Sequence, residues 1–330
     1  MKRKNRILSG MRPTGKLHLG NLVGALENWV QLQKQYESFH VVADWHTLTT
    51  DCEHSRDIPV NTFEMVIDWL ACGIDPEISP VFVQSHIKQH AELHLIFSML
   101  VTQARLERNP TLKEQVRDLS LDARLSYGHV GYPILQAADI LMYKGEFVPV
   151  GEDQVPHIEL AREIARRFNA VYCPERPVFP EPEPMLTQFP RFPGIDGNRM
   201  SKSLGNTLLI SDSPDVLRAR IKIAVTDPKK VRRGDSGHPD ICLVFTYHNR
   251  FNPEEVSEIR AGCESGALGC VDCKTRCADR IIEYLAPIHQ RRAHYEKHPQ
   301  EVHDIIKGGD AKAREQAEKT MAEVQEAMGF

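Results

Sequence analysis

Along the first half of the chain, short runs of apolar residues alternate with longer stretches in which apolar positions recur every three or four residues. The runs predict strands at residues 6–9, 41–43, 81–83 and 147–150, and the longer stretches predict helices. One helix starts at about Gly20 and carries Leu22, Val23, Leu26 and Val30 on one face, and others span 62–71, 91–102 and 156–168, with a polar connector after 102. Strands alternating with helices build an α/β parallel sheet, and ligands of such sheets bind at the carboxyl ends of strands. The loops after Leu8, Ala43 and Val150 lie there. Prolines crowd between Pro174 and Pro193, a composition shift that predicts a domain junction rather than a secondary element. Beyond Ser211 the segments 214–225, 253–261, 277–295 and 311–328 read as helical. The expected division is therefore an α/β domain at 1–190 and a smaller helical domain at 191–330, with no internal repeat.

Composition narrows the class. At 330 residues and 41% hydrophobic the chain can bury a large core, yet no apolar run approaches the roughly 18 to 20 residues that cross a bilayer. The basic start, Met1 to Arg6, gives way after Ile7 and Leu8 to a polar loop at Ser9, which is not the build of a secretory leader. A cytoplasmic enzyme without a membrane partner is expected. The net charge of −4 confines any nucleic-acid contact to local patches. The densest is Pro228-Lys-Lys-Val-Arg-Arg233, which reads equally as a solvated loop or as an RNA contact.

Two motifs point to phosphate chemistry. Ser9-Gly-Met-Arg-Pro-Thr-Gly-Lys-Leu-His-Leu-Gly-Asn21 runs from a strand through a Pro/Gly loop into a helix start, where unpaired backbone N–H groups favour an anion. Arg199-Met-Ser-Lys-Ser203 sets Lys202 between two hydroxyls, with Gly197 before and Gly205 after, so that a loop could carry a cation onto a triphosphate.

The pair resembles the "HIGH" and "KMSKS" signatures of class I aminoacyl-tRNA synthetases, with Asn21 in place of the last His and Arg199 in place of the first Lys. Tyr132-Pro-Ile-Leu-Gln-Ala-Ala-Asp139 and Val150-Gly-Glu-Asp-Gln154 resemble the tryptophanyl and tyrosyl branch, and the second, running on to Phe168, resembles the bacterial tryptophanyl-tRNA synthetases. That resemblance implies a Rossmann-type catalytic domain, a helical anticodon-binding domain, a homodimer, and ATP with Mg2+, L-tryptophan and tRNA(Trp) as substrates and partners. A tyrosine–tRNA ligase and a catalytically silent paralogue are the alternatives, and the presence of both Lys202 and Asp139 favours activity. In the implied reaction the tryptophan carboxylate attacks the α-phosphorus of ATP without a general base, so catalysis rests on positioning and charge neutralisation.

By the same resemblance Arg12, Pro13, Thr14, Gly20, Asn21, Gly151, Glu152, Asp153 and Phe189 would contact ATP. Arg199, Met200, Ser201, Lys202 and Ser203 would close over its phosphates, with Lys202, Arg199, Ser201 and Asn21 carrying catalysis. Asp139 would accept the indole N–H, since a carboxylate accepts and indole only donates. Tyr132, Gln136, Gln154, His46, Leu8, Val148 and Val150 would complete the tryptophan pocket.

Five of the eight cysteines crowd one stretch, and Cys242, Cys263, Cys270 and Cys273 give the spacing C-x20-C-x6-C-x2-C. In a chain with no oxidising context such a cluster implies metal, and four thiolates suit zinc or an iron–sulfur cluster equally by count. The segment from Cys263 to Cys273 resembles the subset of tryptophanyl-tRNA synthetases that hold a [4Fe–4S] cluster near the anticodon-binding region. That resemblance favours iron–sulfur over zinc, with Cys277, one helical turn beyond Cys273, as a substitute ligand.

Overall fold

The structure, a computed structural model, describes residues 5–118, 125–186 and 192–330. Backbone contacts divide the chain into two compact units, the first made of Met1–Gly15, Ala25–Pro190 and Tyr295–Phe330, the second of Lys16–Gly24 and Arg191–His294. The division crosses a single break after residue 190 twice: the first motif enters the second unit, and the C-terminal helix joins the first.

The first unit is built on five parallel strands, β1 (Arg6–Met11), β2 (Glu37–Val42), β3 (Val81–Val83), β4 (Phe147–Val150) and β5 (Glu183–Leu186), in the order β3-β2-β1-β4-β5. β5 arises within the proline cluster, where the sequence predicts no element. It is an edge strand, the place where a residue such as Pro184, lacking an N–H, is tolerated. Pairing of β1 with β4 is confined to Ile7 opposite Phe147. Pro149, two residues on in β4, has no N–H to extend that ladder. The chain reverses its winding between β1 and β4, which makes their carboxyl ends the switch point where ligands of such sheets bind.

Side chains alternate across β2. Phe39 stacks on Tyr143 at 4.9 Å on one face, while His40 lies against Trp29 and Trp69 on the other. In chain order the helices are α1 (Leu19–Asn21), α2 (Glu27–Leu32), α3 (Asp44–Leu48), α4 (Ile58–Cys72), α5 (Gln89–Ser98), α6 (Gln103–Glu107), α7 (Pro110–Asp118), α8 (Tyr127–Met142) and α9 (Val155–Tyr172). A π-helical turn, Leu22–Leu26, joins α1 to α2. α8 packs between α5 and α9 in the main core, although the sequence reading has no helix there. Its interior Pro133 removes one backbone donor and hides the helical period.

α10 (Pro214–Ile223), α11 (Leu243–Phe251), α12 (Val256–Glu264) and α13 (Cys270–Lys297) supply the helices of the second unit. Their core includes Leu217, Ile221, Val244, Tyr247, Ile281 and Leu285. Tyr247 stacks on Phe192 at 5.1 Å and donates its hydroxyl to the Pro193 carbonyl at 2.9 Å. Among the described residues no helix is long and apolar enough to cross a membrane.

α14 (Pro299–Met328) returns to the first unit and covers the edge strand β3. Its buried stripe, Val302, Ile306, Gly309, Ala313, Ala317, Met321 and Val324, follows the three-and-four spacing of a helix face. Small residues let the backbones meet: a Cβ on Gly309 would lie 1.9 Å from the Val81 carbonyl oxygen. Next to it Asp310 Oδ1 accepts the Val83 N–H at 3.0 Å, satisfying a donor that an edge strand otherwise leaves open. Asp310 Oδ2 also takes His86 Nδ1 at 2.6 Å, and this bond raises the His86 pKa.

Gly309→Ala is therefore expected to cost about 2 kcal/mol or more, because the obstacle is backbone and cannot turn aside. Gly308, with open space around its Cβ position, is the control. Gly308→Ala should be neutral or stabilise by about 0.5–1 kcal/mol, and chemical denaturation of the two variants distinguishes them.

Candidate functional site

Tyr132, Gln136 and Asp139 fall at i, i+4 and i+7 on α8, so they share one helix face. Asp139 is 4% exposed. It accepts His46 Nε2 at 2.9 Å from α3 and His90 Nδ1 at 2.6 Å from α5. Gln84 Nε2, just after β3, reaches both carboxylate oxygens at 2.8 and 2.9 Å. Burial acts to raise the Asp139 pKa, but the hydrogen bonds from His46 and His90 outweigh it and bring the group to about 2. The carboxylate is thus ionised in the folded protein.

Two of these donors are themselves aimed. Gln84 Oε1 accepts the Trp45 N–H at 3.1 Å, which turns the amide nitrogen toward Asp139. His90 Nε2 lies 2.8 Å from the Tyr143 hydroxyl, which keeps its proton because burial raises the Tyr143 pKa, and this contact turns Nδ1 of the ring toward Asp139. A carboxylate offers about four acceptor positions. His46 and His90 take one position on each oxygen and Gln84 Nε2 spans both, so a further N–H would share the carboxylate with Gln84.

Around this group Leu8 and Val148 are buried and Val150 half-buried on β1 and β4. Tyr132 is buried, its ring 6.3 Å from that of His46, and its hydroxyl meets His157 Nε2 at 2.8 Å. Gln136 and Gln154 are half-buried, and Gln154 Nε2 bonds the Asp153 carboxylate at 2.9 Å. Arg12, Pro13 and Thr14 follow β1, with Arg12 Nη1 donating to Thr50 Oγ1 at 3.1 Å. Gly151, Glu152 and Asp153 follow β4, so both loops stand at the switch point. Phe189 lies outside the described residues.

The second unit brings Gly20 and Asn21 together with the Arg199–Ser203 segment. His18 Nδ1 accepts the Asn21 backbone N–H at 3.3 Å, and Asn21 Oδ1 accepts the His18 N–H at 3.1 Å, a reciprocal cap. A Cβ on Gly20 would come within 3.0 Å of the His18 ring and 3.6 Å of Met200 Cβ, so the helix start has no space for a side chain there. Burial, followed by the cations of Lys202 and Arg199, lowers the His18 pKa to about 4. A neutral imidazole whose Nδ1 accepts carries its proton on Nε2 as a donor. His18, quoted in the motif but given no role, thus joins the constellation.

Asn206 is a second omission. Its side chain accepts the Ser201 N–H at 2.8 Å and donates to Asp196 Oδ1 at 2.8 Å and to the Arg199 carbonyl at 3.0 Å, pinning the loop from inside. Ser201 and Ser203 hydroxyls share a bond of 2.9 Å. The signal for Asn206 was its place directly after Gly205, at the end of the motif.

The cysteines also gather within this unit. Cys242 precedes α11, Cys263 lies near the end of α12, and Cys270 and Cys273 open α13. Burial raises the Cys273 pKa to about 12, and the charges of Cys242, Cys263 and Cys270 push in the same direction. The four thiols therefore lie in one neighbourhood. Among the described residues no three of these sulfurs lie within 4.8 Å of one another, whereas tetrahedral zinc with bonds of about 2.3 Å requires separations near 3.8 Å. Cys263 Sγ sits against the chain at Gly237, where a Cβ would be 2.6 Å away. Lys230 Nζ is 4.0 Å from the same sulfur, and His248 Nε2 is 3.4 Å from Cys273 Sγ. Cys277 is buried in the helical core.

Comparison with known proteins places this geometry. The family model described as tRNA synthetases class I (W and Y) matches residues 1–286. The tryptophan–tRNA ligase of Thermotoga maritima is 52% identical over 98% of this chain and 99% of its own, and that of Aquifex aeolicus is 41% identical over 98% and 100%. The crystal structure of tryptophanyl-tRNA synthetase from Campylobacter jejuni complexed with ADP and tryptophan superposes with a TM-score of 0.89 at 30% identity, covering 98% of this chain and 100% of that one. The chain belongs to the tryptophan–tRNA ligases, the tryptophan members of the class I tRNA synthetases.

Proposed function

We propose that this chain activates L-tryptophan with ATP to tryptophanyl-adenylate and transfers it to tRNA(Trp), in the cytoplasm and as a homodimer. The observation that carries the choice of amino acid is the buried, ionised Asp139, an acceptor-only group held by His46, Gln84 and His90 that would pair with the donor-only indole N–H. Leu8, Val148 and Val150 supply apolar walls, while Tyr132, Gln136, Gln154 and His46 are the polar groups that would orient the substrate. The ATP complement is Arg12, Pro13, Thr14, Gly20, Asn21, Gly151, Glu152, Asp153 and Phe189.

The attacking carboxylate is already an anion, so the chain's task in the first step is to hold it near the α-phosphorus and to neutralise the leaving pyrophosphate. Lys202 and Arg199, with Met200, Ser201 and Ser203 of the same loop and the neutral donor His18, are the groups assigned to the phosphates, where Mg2+ would share the charge. Residues 1–190 are assigned the catalytic role and 191–330 the phosphate loop and anticodon binding.

For the cysteines we assign a [4Fe–4S] cluster on Cys242, Cys263, Cys270 and Cys273 rather than zinc. The C-x20-C-x6-C-x2-C spacing and the resemblance of the Cys263–Cys273 segment to the cluster-bearing tryptophanyl-tRNA synthetases support this reading, and Lys230 and His248 lie beside Cys263 and Cys273. Held there, it would supply a rigid crosslink between the starts of α11 and α13 and the end of α12, with no electron transfer required of it.

Tryptophan-dependent ATP–pyrophosphate exchange tests the substrate. Tyrosine should be activated at least about 100-fold less well, and Asp139→Asn should lower kcat/KM for tryptophan by about 100-fold, since an amide presents a donor where the indole needs an acceptor. Equal rates for the two amino acids would refute the assignment.

The metal is tested separately. Protein purified without oxygen should contain close to four irons per chain and lose them on Cys270→Ser or Cys273→Ser; stoichiometric zinc would overturn the cluster and keep the site.

A further inference from the structure

Behind Tyr132 lies a chain of buried polar groups that the reaction as described does not use. Asn109 is 1% exposed and His157 is fully buried. Asn109 Oδ1 accepts the Thr111 N–H at 3.0 Å, which fixes the amide, so Nδ2 is the atom that meets His157 Nδ1 at 3.1 Å. An imidazole nitrogen that accepts has no proton, and a neutral ring has only one. The His157 proton is therefore on Nε2, 2.8 Å from Tyr132 Oη. Burial, with a further push from His46, lowers the His157 pKa to about 4, so the ring is neutral at physiological pH. The Tyr132 phenol is shifted upward by its own burial and keeps its proton.

These bonds have a direction. Thr111 donates to Asn109, Asn109 to His157, and His157 to Tyr132. Because Oη already accepts from His157, its proton and its remaining lone pair face away from that ring. The Tyr132 ring is also held, edge-on to His157 at 5.1 Å and 5.4 Å from His129. Thr111 Oγ1 additionally donates to the Asp153 carbonyl at 2.8 Å, tying the same short segment to the loop after β4.

We infer that Asn109 and His157 are positioning residues for the amino-acid substrate, acting through Tyr132 by fixing the rotor of its hydroxyl before the substrate arrives. The inference rests on the reading of Tyr132 as part of the tryptophan pocket and adds to it what aims the group. A hydroxyl set in advance spares the substrate the cost of ordering it, so the effect falls on binding. It should appear in KM for tryptophan and not in kcat.

The test uses the full chain. 15N chemical shifts of the His157 ring at about pH 7 should report the neutral Nε2–H tautomer; the Nδ1–H tautomer or an imidazolium would overturn the inference, and this measurement needs no variant. In pyrophosphate exchange His157→Leu should raise KM for tryptophan about 10-fold with kcat within about 2-fold, and His157→Gln, whose Nε2 can donate from nearly the same position, should recover most of the loss. On a Tyr132→Phe background His157→Leu should add less than about 2-fold. Gln and Leu variants that behave alike, or a His157 effect undiminished by Tyr132→Phe, would show that His157 only fills space. Absence of tryptophan-dependent exchange in the unmutated protein would instead refute the substrate reading and the inference with it, a failure recognisable because the other amino acids are assayed in parallel.

Discussion

A carboxylate buried without compensation is among the most costly groups a protein can contain, and the first unit is arranged around making one tolerable. Asp139 draws a donor from α3, one from the segment after β3 and one from α5, and the last two are aimed by further bonds to Trp45 and Tyr143. Those bonds hold together elements up to 93 residues apart in sequence. Removing a partner would leave a desolvated charge or an unmet donor, so the constraint that positions the site is also a constraint on the fold. Since the folded pKa of about 2 lies below the ordinary carboxylate value of about 3.9, the stability this group contributes is fully present above about pH 4. It is lost as pH falls toward the folded value.

The sheet needs a second provision. β3 has an open edge, and α14 closes it by combining a glycine that lets backbones touch with an aspartate that takes a strand N–H. Neither residue works alone at that contact. A larger residue at 309 would hold the helix away, and without Asp310 the Val83 N–H would lose its partner. The chain thus uses its last thirty-odd residues to finish a sheet begun at its start, which explains why α14 belongs to the first unit although the sequence alone groups it with the helices before it.

How much of this was legible depended on whether the signal was local. Strands β1, β3 and β4 are visible as apolar runs, His46 follows the apolar run at 41–43, and Asp139 and Tyr132 of the proposed tryptophan pocket are visible because they sit in a recognisable motif. Gln84 and His90 are not, since nothing in their neighbourhood marks them and only the fold brings them to Asp139. Asn109 stayed hidden for the same reason, and His157, although inside the segment that runs from Val150 to Phe168, shows its link to Tyr132 only in the fold. α8 and β5 were obscured by their prolines, Pro133 and Pro184, which are signals of interruption when read locally but are absorbed by a well-packed helix and an edge strand. The cysteine spacing announces a site, whereas Lys230 and His248 beside the sulfurs come only from the tertiary structure.

The ionisation of Asp139 is the claim on which the site depends, and 13C NMR of its carboxyl carbon through an acid titration measures it directly. The account predicts a carboxylate signal that stays unshifted from about pH 7 to about pH 4, with protonation only as the pH approaches the folded value of about 2. A midpoint at or above about 4 in protein that is still folded would contradict it, because the bonds from His46, Gln84 and His90 would then not be holding a charge.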